Sequence, residues 1–317
     1  MESSKVIKGR PIIGLALGGG GARGYAHLGV IKTLQEANIP VDVIAGTSMG
    51  ALIGAVYATE SRVDKAEDIA TNIRWGQLLR LADLTIPSRG IIAGNRVEKY
   101  FSTLILEREF YQLEKKLVVV ATDIRTGDAV NIKSGPVALA LRASTALPGI
   151  FCPIKLDGRL LVDGTLTTPV PVEAAMEAGA ELIIAVNVCS SVDRTDILVQ
   201  ALKVCQGMSS NQICLRLGAP DLLHRLKPMV PESINIVSRS LELHNNYIKN
   251  SSNFTPPVHH LLVKPAVDNV RWYEFHRARE CIRAGEAAAR PVANKINALL
   301  KQEALPEEAG INSVVNI

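Results

Sequence analysis

Two glycine-flanked segments near the amino terminus hold the residue types that nucleophilic catalysis needs. The clearer one is Gly46-Thr47-Ser48-Met49-Gly50, a G-x-S-x-G pattern. Such a five-residue match recurs by chance, so its flanks decide. Val41 to Ala45 reads as a buried strand, and the apolar stretch through Ala58 reads as a helix. A sharp strand-to-helix turn exposes its serine, and Gly46 and Gly50 relieve crowding on either side. At the start of that helix the backbone dipole favours a developing alkoxide. A serine that merely caps a tight turn is the competing reading. Both glycines and the apolar helix favour a nucleophile.

The second segment runs Gly18-Gly19-Gly20-Gly21-Ala22-Arg23-Gly24, after one apolar run and before a helical pattern. It satisfies the G-x-G-x-x-G spacing of a dinucleotide loop. That reading also demands an acidic residue near the end of the second strand to hold the ribose. Here the second strand ends in the serine turn, and Asp42 lies at its beginning, so the test fails. An oxyanion hole accounts for both loops together. Neighbouring strand ends lie about 5 Å apart, which puts the Gly19, Gly20 and Gly21 amides beside Ser48 as donors to a tetrahedral intermediate. Arg23 is expected to brace the loop, with attraction of an anionic head group as its second reading.

A base is also required. Asp163 closes a predicted strand just before Gly164 and the turn Pro169-Val170-Pro171, and Asp-Gly alone is a turn signal. Histidines compete for the role. His27 falls on the inner face of the first helix, where packing is the expected state. His259 and His260 flank a strand, His276 sits on an amphipathic helix, and none of them has a motif of its own.

These loops need a frame. Ile12 to Leu17, Val41 to Ala45, Leu117 to Ala121 and Leu182 to Val188 are short apolar runs, the pattern of strands buried on both faces. Between them, helical spacing appears from Gly24 to about Ala37, from Pro136 to Ser144 and from Val172 to Ala178. A later helix spans Tyr273 to Arg290, with Phe275, Ala278, Ile282, Gly285 and Ala289 on one face. Ser61-Arg62-Val63-Asp64 reads as a capping box opening another helix, with Ile69 and Ile73 on its inner face. Asp157-Gly158 marks a hairpin, and Leu261 to Lys264 a last strand. Alternating strands and helices predict an α/β fold, a mostly parallel sheet with helices on both faces. One large domain is expected: a lead-in over 1–10, the candidate chemistry within 11–190, a carboxy-terminal part over 191–300 packed on it, and a frayed tail over 301–317.

Composition narrows the function classes. The 317 residues are 47% hydrophobic and 21% charged, which is globular. A net charge of +4 and 4% aromatic residues argue against a dedicated nucleic-acid binder. Five cysteines without a C-x-x-C suggest neither a disulfide framework nor a zinc site. The longest uncharged run, Val43 to Thr59, is 17 residues long and interrupted by glycines, short of the roughly 20 a spanning helix needs. A soluble or peripheral protein is expected.

In order along the chain, Leu15 to Gly24, Gly46 to Gly50 and Asp163-Gly164-Thr165 resemble the motifs of the patatin-like phospholipase family in its bacterial form, over about residues 11–190. Arg142 to Phe151 looks like a further block of that family. The resemblance implies a patatin-like three-layer fold and a Ser–Asp dyad, with Ser48 as nucleophile and Asp163 as base. It makes Gly19 to Gly21 the oxyanion hole, with Arg23, Gly24, Gly46, Gly50 and Gly164 supporting the motifs. It implies no metal and no cofactor, and a phospholipid or other acyl ester as substrate. The third motif usually continues with Gly or Ala, and this chain has Thr165. Two alternatives stay open: a regulatory or membrane-binding protein with little turnover, and an α/β-hydrolase esterase using His259 or His276. A cytoplasmic protein is expected, touching the inner membrane surface peripherally. Residues 191–260 carry apolar faces edged by Lys203, Arg216, Arg225 and Lys227, which read either as contact with anionic lipid or as completion of the core.

Overall fold

Continuous apolar runs become the central strands of a single sheet in the computed structural model, which describes residues 10–72, 81–83, 92–189 and 260–303. The strands are β1 (Ile13–Leu17), β2 (Val43–Thr47), β3 (Lys116–Asp123), β4 (Ala129–Ile132), β5 (Ile154–Leu156), β6 (Arg159–Asp163), β7 (Leu182–Val186) and β8 (His260–Val263). The helices are α1 (Ala26–Glu36), α2 (Met49–Glu60), α3 (Asp64–Asn72), α4 (Asn95–Leu104), α5 (Val137–Ser144), α6 (Val172–Glu177) and α7 (Ala278–Glu303). The parallel core of the sheet runs β8, β7, β1, β2, β3.

Strand residues alternate between two apolar layers, as a pleated strand covered on both faces must. Ile13, Leu15 and Leu17 of β1, Ile44 of β2 and Leu117, Val119 and Ala121 of β3 join the larger core with α1, α2 and α7. Ala16, Val43, Ala45, Val118 and Val120 face the smaller one, where Ala174 and Ala175 of α6 pack. The expected α/β architecture, a mostly parallel sheet with helices on both faces, is the one observed.

Register decides where the chemistry can lie. Val119 and Val120 of β3 pair with both β2 and β4, while Ala121 and Thr122 pair with both β4 and β6. A strand has two edges, so β2 and β6 share one edge of β3, end to end. β2 runs parallel to β3 and stops at Thr47, opposite Val120. β6 runs antiparallel and stops at Asp163, opposite Ala121. Their carboxyl ends therefore meet head to head. The Asp157-Gly158 turn that returns β6 to this point is the predicted two-residue hairpin, with φ of 48° and 73°.

Several elements differ from the sequence reading. Ser61 ends α2 in a left-handed conformation, its N–H bonded to the Tyr57 carbonyl, and its side chain does not open α3. Ile69 of α3 is 40% exposed, the face that packs inward is carried by Ala66 and Ala70, and Ile73 lies outside the described residues. β4 was not foreseen, because of its four residues only Ile132 is buried and they pair with β3 alone. The last helix starts at Ala278 and continues through Pro291 to Glu303. Proline removes one backbone donor, yet Ala289, Ala293 and Ile296 on either side of it are buried. α7 is held against α1 by a glycine crossing. A Cβ on Gly29 would lie 2.8 Å from the Glu286 nitrogen, and one on Gly285 2.8 Å from the Ala26 carbonyl carbon.

Candidate active site

Ser48 stands between the last residue of β2 and the first of α2 with φ 52° and ψ −121°. For a residue with a side chain this backbone is costly, on the order of 1–3 kcal/mol. It is held by bonds on both sides of the turn. The Ser48 N–H donates to Ser144 Oγ at 2.8 Å, and the Ser144 hydroxyl donates to the Val120 carbonyl at 2.6 Å. The Ser48 hydroxyl is thereby aimed at Asp163 and donates to Oδ2 at 2.7 Å. That distance is within reach for a nucleophile and its base. Both side chains are buried, and no histidine stands between them.

The Asp163 carboxylate is anchored on its other oxygen. Oδ1 accepts from the Thr165 N–H at 2.8 Å and from the Thr165 hydroxyl at 2.5 Å. Burial pushes the carboxyl above the usual carboxylate range, and the two Thr165 bonds and the Ser48 bond oppose that shift. Gly164 follows Asp163 where a Cβ would be 2.8 Å from the Val120 carbonyl carbon, so the head-to-head junction leaves no room for a side chain there.

The glycine loop lies beside the pair, but Gly19 leaves the set of oxyanion donors. Its N–H donates to the Pro169 carbonyl at 3.0 Å. Its place is set by space instead: a Cβ at Gly19 would lie 3.2 Å from that of Ser48 and would also collide with the Thr165 hydroxyl. Gly20 and Gly21 line the same cavity as Ser48. Arg23 at the end of the loop is 2% exposed, its Nε donating to the Val270 carbonyl at 2.5 Å. The Ala22 N–H donates to the Trp272 carbonyl at 2.7 Å, so the chain before α7 clasps the loop from the carboxy-terminal side. From below, His27 is fully buried with Nε2 at 2.7 Å from the Gly18 carbonyl, a packed histidine as its position on α1 suggested. Burial lowers its pKa to about 4, so the ring is neutral near pH 7.

Sequence reasoning assigned no role to Ser144, Thr165 or Cys189. Ser144 lay in the Arg142–Phe151 block, which was recognised without a function. The Cys189 thiol donates to the Gly19 carbonyl at 2.6 Å and lines the cavity. Among the described residues no histidine lines that cavity, and His276 is exposed. His259 and residues 190–259, with Lys203, Arg216, Arg225 and Lys227, lie outside the described residues.

Ser48 and Asp163 open onto a cavity of about 570 Å³. Its wall carries Ser48, Leu52, Val56 and Glu60, one residue per turn of α2, so it follows that helix for its whole length, about 18 Å. Tyr100, Phe101 and Leu104 of α4 form part of the same lining, as do Ile69 and Leu106, which are 40% and 51% exposed at its rim. Among the described residues no helix is long and apolar enough to cross a membrane.

Comparison with known proteins places the chain in a family. The sequence profile of the patatin-like phospholipase family matches residues 15–176. An uncharacterized NTE family protein of Mycobacterium bovis is 39% identical over 57% of this chain and 50% of its own length. Patatin-like phospholipase domain-containing protein 6 of Homo sapiens is 35% identical over 61% of this chain and 14% of its own. Lysophospholipase nte1 of Emericella nidulans is 38% identical over 58% of this chain and 12% of its own. The chain thus spans half the length of the mycobacterial relative and a much smaller share of the other two. A solved structure, VipD from Legionella pneumophila, aligns with a TM-score of 0.35 and 12% identity over 75% of this chain and 67% of that one. The profile covers just over half of the chain and takes in the glycine loop, the serine turn and the Asp-Gly turn at the carboxyl ends of β1, β2 and β6, and the chain belongs to the patatin-like phospholipase family.

Proposed function

We propose that the protein is a serine lipid acyl hydrolase in which Ser48 and Asp163 form the catalytic dyad. The observation that carries this reading is the 2.7 Å bond from the Ser48 hydroxyl to Asp163, made at the end of an apolar cavity. Ser48 Oγ attacks the ester carbonyl while its proton passes to Asp163 Oδ2. The bond to the leaving alcohol then breaks as that oxygen takes the proton. Water attacks the acyl-enzyme, gives a proton to Asp163, and the acid leaves as Ser48 Oγ recovers it. Gly20 and Gly21, at the start of the glycine-loop helical turn, are the proposed donors to the oxyanion. The dipole of α2 stabilises charge on the same side.

Lipid is the proposed substrate class because the lining of the cavity is mostly aliphatic and aromatic. A chamber of 300–1,000 Å³ is the usual size for a small-molecule site. Exposed Ile69 and Leu106 at the rim suit entry of an acyl chain from a lipid surface, and peripheral contact with an anionic membrane is part of the same proposal. The name of the Emericella nidulans relative makes single-chain lysophospholipids a necessary member of any substrate panel. The test is such a panel of lysophospholipids, phospholipids and p-nitrophenyl esters, run with wild type and Ser48→Ala. Hydrolysis by wild type alone is expected. Equal turnover by the variant refutes the nucleophile, and no turnover of any ester by wild type leaves the regulatory reading in its place.

A further inference from the structure

The base of a serine dyad has no third group to orient it in the minimal description, yet here one carboxylate oxygen is fully engaged. We propose that Thr165 is a positioning residue of the active site, its hydroxyl holding Asp163 Oδ1 so that Oδ2 faces Ser48. This rests on the reading of Ser48 and Asp163 as the dyad. The Thr165 hydroxyl and N–H both donate to Oδ1, at 2.5 and 2.8 Å, and among the described residues the Ser48 hydroxyl alone donates to Oδ2, at 2.7 Å. Two donors on one oxygen fix the carboxylate plane, which a single donor leaves free to turn. Glycine or alanine at this position supplies only the backbone N–H.

The same side chain also touches the loop. Gly19 fits between Ser48 and Thr165 with no space for a Cβ, so the threonine hydroxyl packs against the loop backbone while it bonds the base. Thr165 also lines the cavity. Like Ser48, it therefore bonds the base, contacts the glycine loop and borders the substrate space together.

The hydroxyl has an electrostatic consequence as well. A bond donated to a carboxylate favours its ionised form, the form a base must have. Asp163 is buried, which works the other way, and the Thr165 hydroxyl is the largest of the contributions that counter burial. Titratable groups on the surrounding elements include Asp123 and Lys116 on β3, Arg159 on β6, Tyr57 and Glu60 on α2, His27 and Lys32 on α1, Arg142 on α5, and Arg23 and Cys189 in the flanking loops. None of these figures among the causes of the Asp163 shift, which are burial, Thr165 and Ser48. Loss of the hydroxyl must then move the acid limb of kcat/KM toward higher pH.

The experiment is the pH profile of kcat/KM for a short-chain p-nitrophenyl ester with wild type, Thr165→Val, Thr165→Ala and Thr165→Ser, alongside Ser48→Ala and Asp163→Asn. Thr165→Val keeps the shape and the N–H but removes the hydroxyl. It is expected to lose about ten- to a hundredfold at neutral pH, the scale of one hydrogen bond to a charged group, with its acid limb moved up. Thr165→Ala should do the same, which covers a valine variant that fails to fold. Thr165→Ser should return both the rate and the limb to within a few-fold of wild type. A wild-type rate and limb in Thr165→Val or Thr165→Ala, or a loss that serine does not restore, overturns the proposal and leaves the threonine a packing residue. Retained turnover in Ser48→Ala or Asp163→Asn instead overturns the dyad, so the two failures are distinct.

Discussion

Gly50→Ala is the sharpest perturbation of the elbow that leaves both dyad side chains in place. A Cβ on Gly50 would lie 2.6 Å from the Gly18 carbonyl oxygen and closer still to that of Leu17. Ordinary contact begins at 3.4 Å, so the Gly18 carbonyl alone must give way by about 0.8 Å. Both carbonyls are backbone, at the point where β1 passes into the glycine loop, and neither can swing aside as a side chain does. Overpacking of this kind costs about 1–3 kcal/mol, several degrees of Tm for a domain of this size. The functional effect is larger, because a displacement near 1 Å of catalytic donors reduces turnover by about a hundredfold. Gly54→Ala is the control one turn along α2. Its Cβ would meet the Ile44 side chain at 2.8 Å, and side chains can repack. Ester hydrolysis and thermal unfolding measured on both variants should therefore separate. Gly54→Ala is expected to lose stability while keeping turnover within a few-fold, and Gly50→Ala to lose turnover beyond its loss of Tm. Wild-type kcat/KM in Gly50→Ala would show that the elbow does not set the position of the loop.

Three further outcomes are expected. Burial holds His27 at about 4, below its ordinary value of about 6.5, so the unfolded chain takes up that proton first as pH falls. Stability should drop by up to about 3 kcal/mol between those values, and His27→Gln should flatten that slope in chemical denaturation. Asp163, raised by burial, contributes with the opposite sign, its share present at low pH and lost as pH rises through its folded-state pKa. The comparison is accordingly wild type against variant, and an unchanged slope refutes the assignment to His27. Val56→Trp should block the cavity halfway along α2, lowering turnover of long-chain esters at least tenfold relative to acetate or butyrate esters. Equal loss at all chain lengths contradicts an acyl chain lying along that helix. His276→Gln should keep wild-type kcat/KM, since His276 is exposed and does not line the cavity; a thousandfold loss, the scale of a missing base, would restore a histidine triad.

Much of this site was legible in the sequence because glycine and turn chemistry are local. Gly46 and Gly50 around Ser48 announced the elbow, and Asp157-Gly158 announced the hairpin that carries Asp163. What stayed hidden is set by register and tertiary contact. No local pattern says that β2 and β6 abut along one edge of β3, which is why Asp-Gly read only as a turn until resemblance supplied its role. The Gly19 N–H looked like a donor because its partner, the Pro169 carbonyl, is far away in sequence. Ser61 fits a capping box on paper and ends α2 in the fold, since the same residue type suits either terminus of a turn. The last helix was expected to end at Arg290, yet buried residues on both sides of Pro291 keep α7 on the core at the cost of one backbone bond. Thr165 was noticed as a departure from the usual motif, and only side-chain geometry shows what its hydroxyl bonds.

The most direct test of the central claim is the rate and site of labelling by a fluorophosphonate, which reports an activated serine without assuming any natural substrate. Intact-mass and peptide analysis of the full chain should find one adduct, on Ser48, absent in Ser48→Ala. Asp163→Asn should label at least about a thousandfold more slowly, because the base that takes the serine proton is gone. An adduct on another residue, or unchanged labelling in Asp163→Asn, would contradict a Ser48–Asp163 dyad.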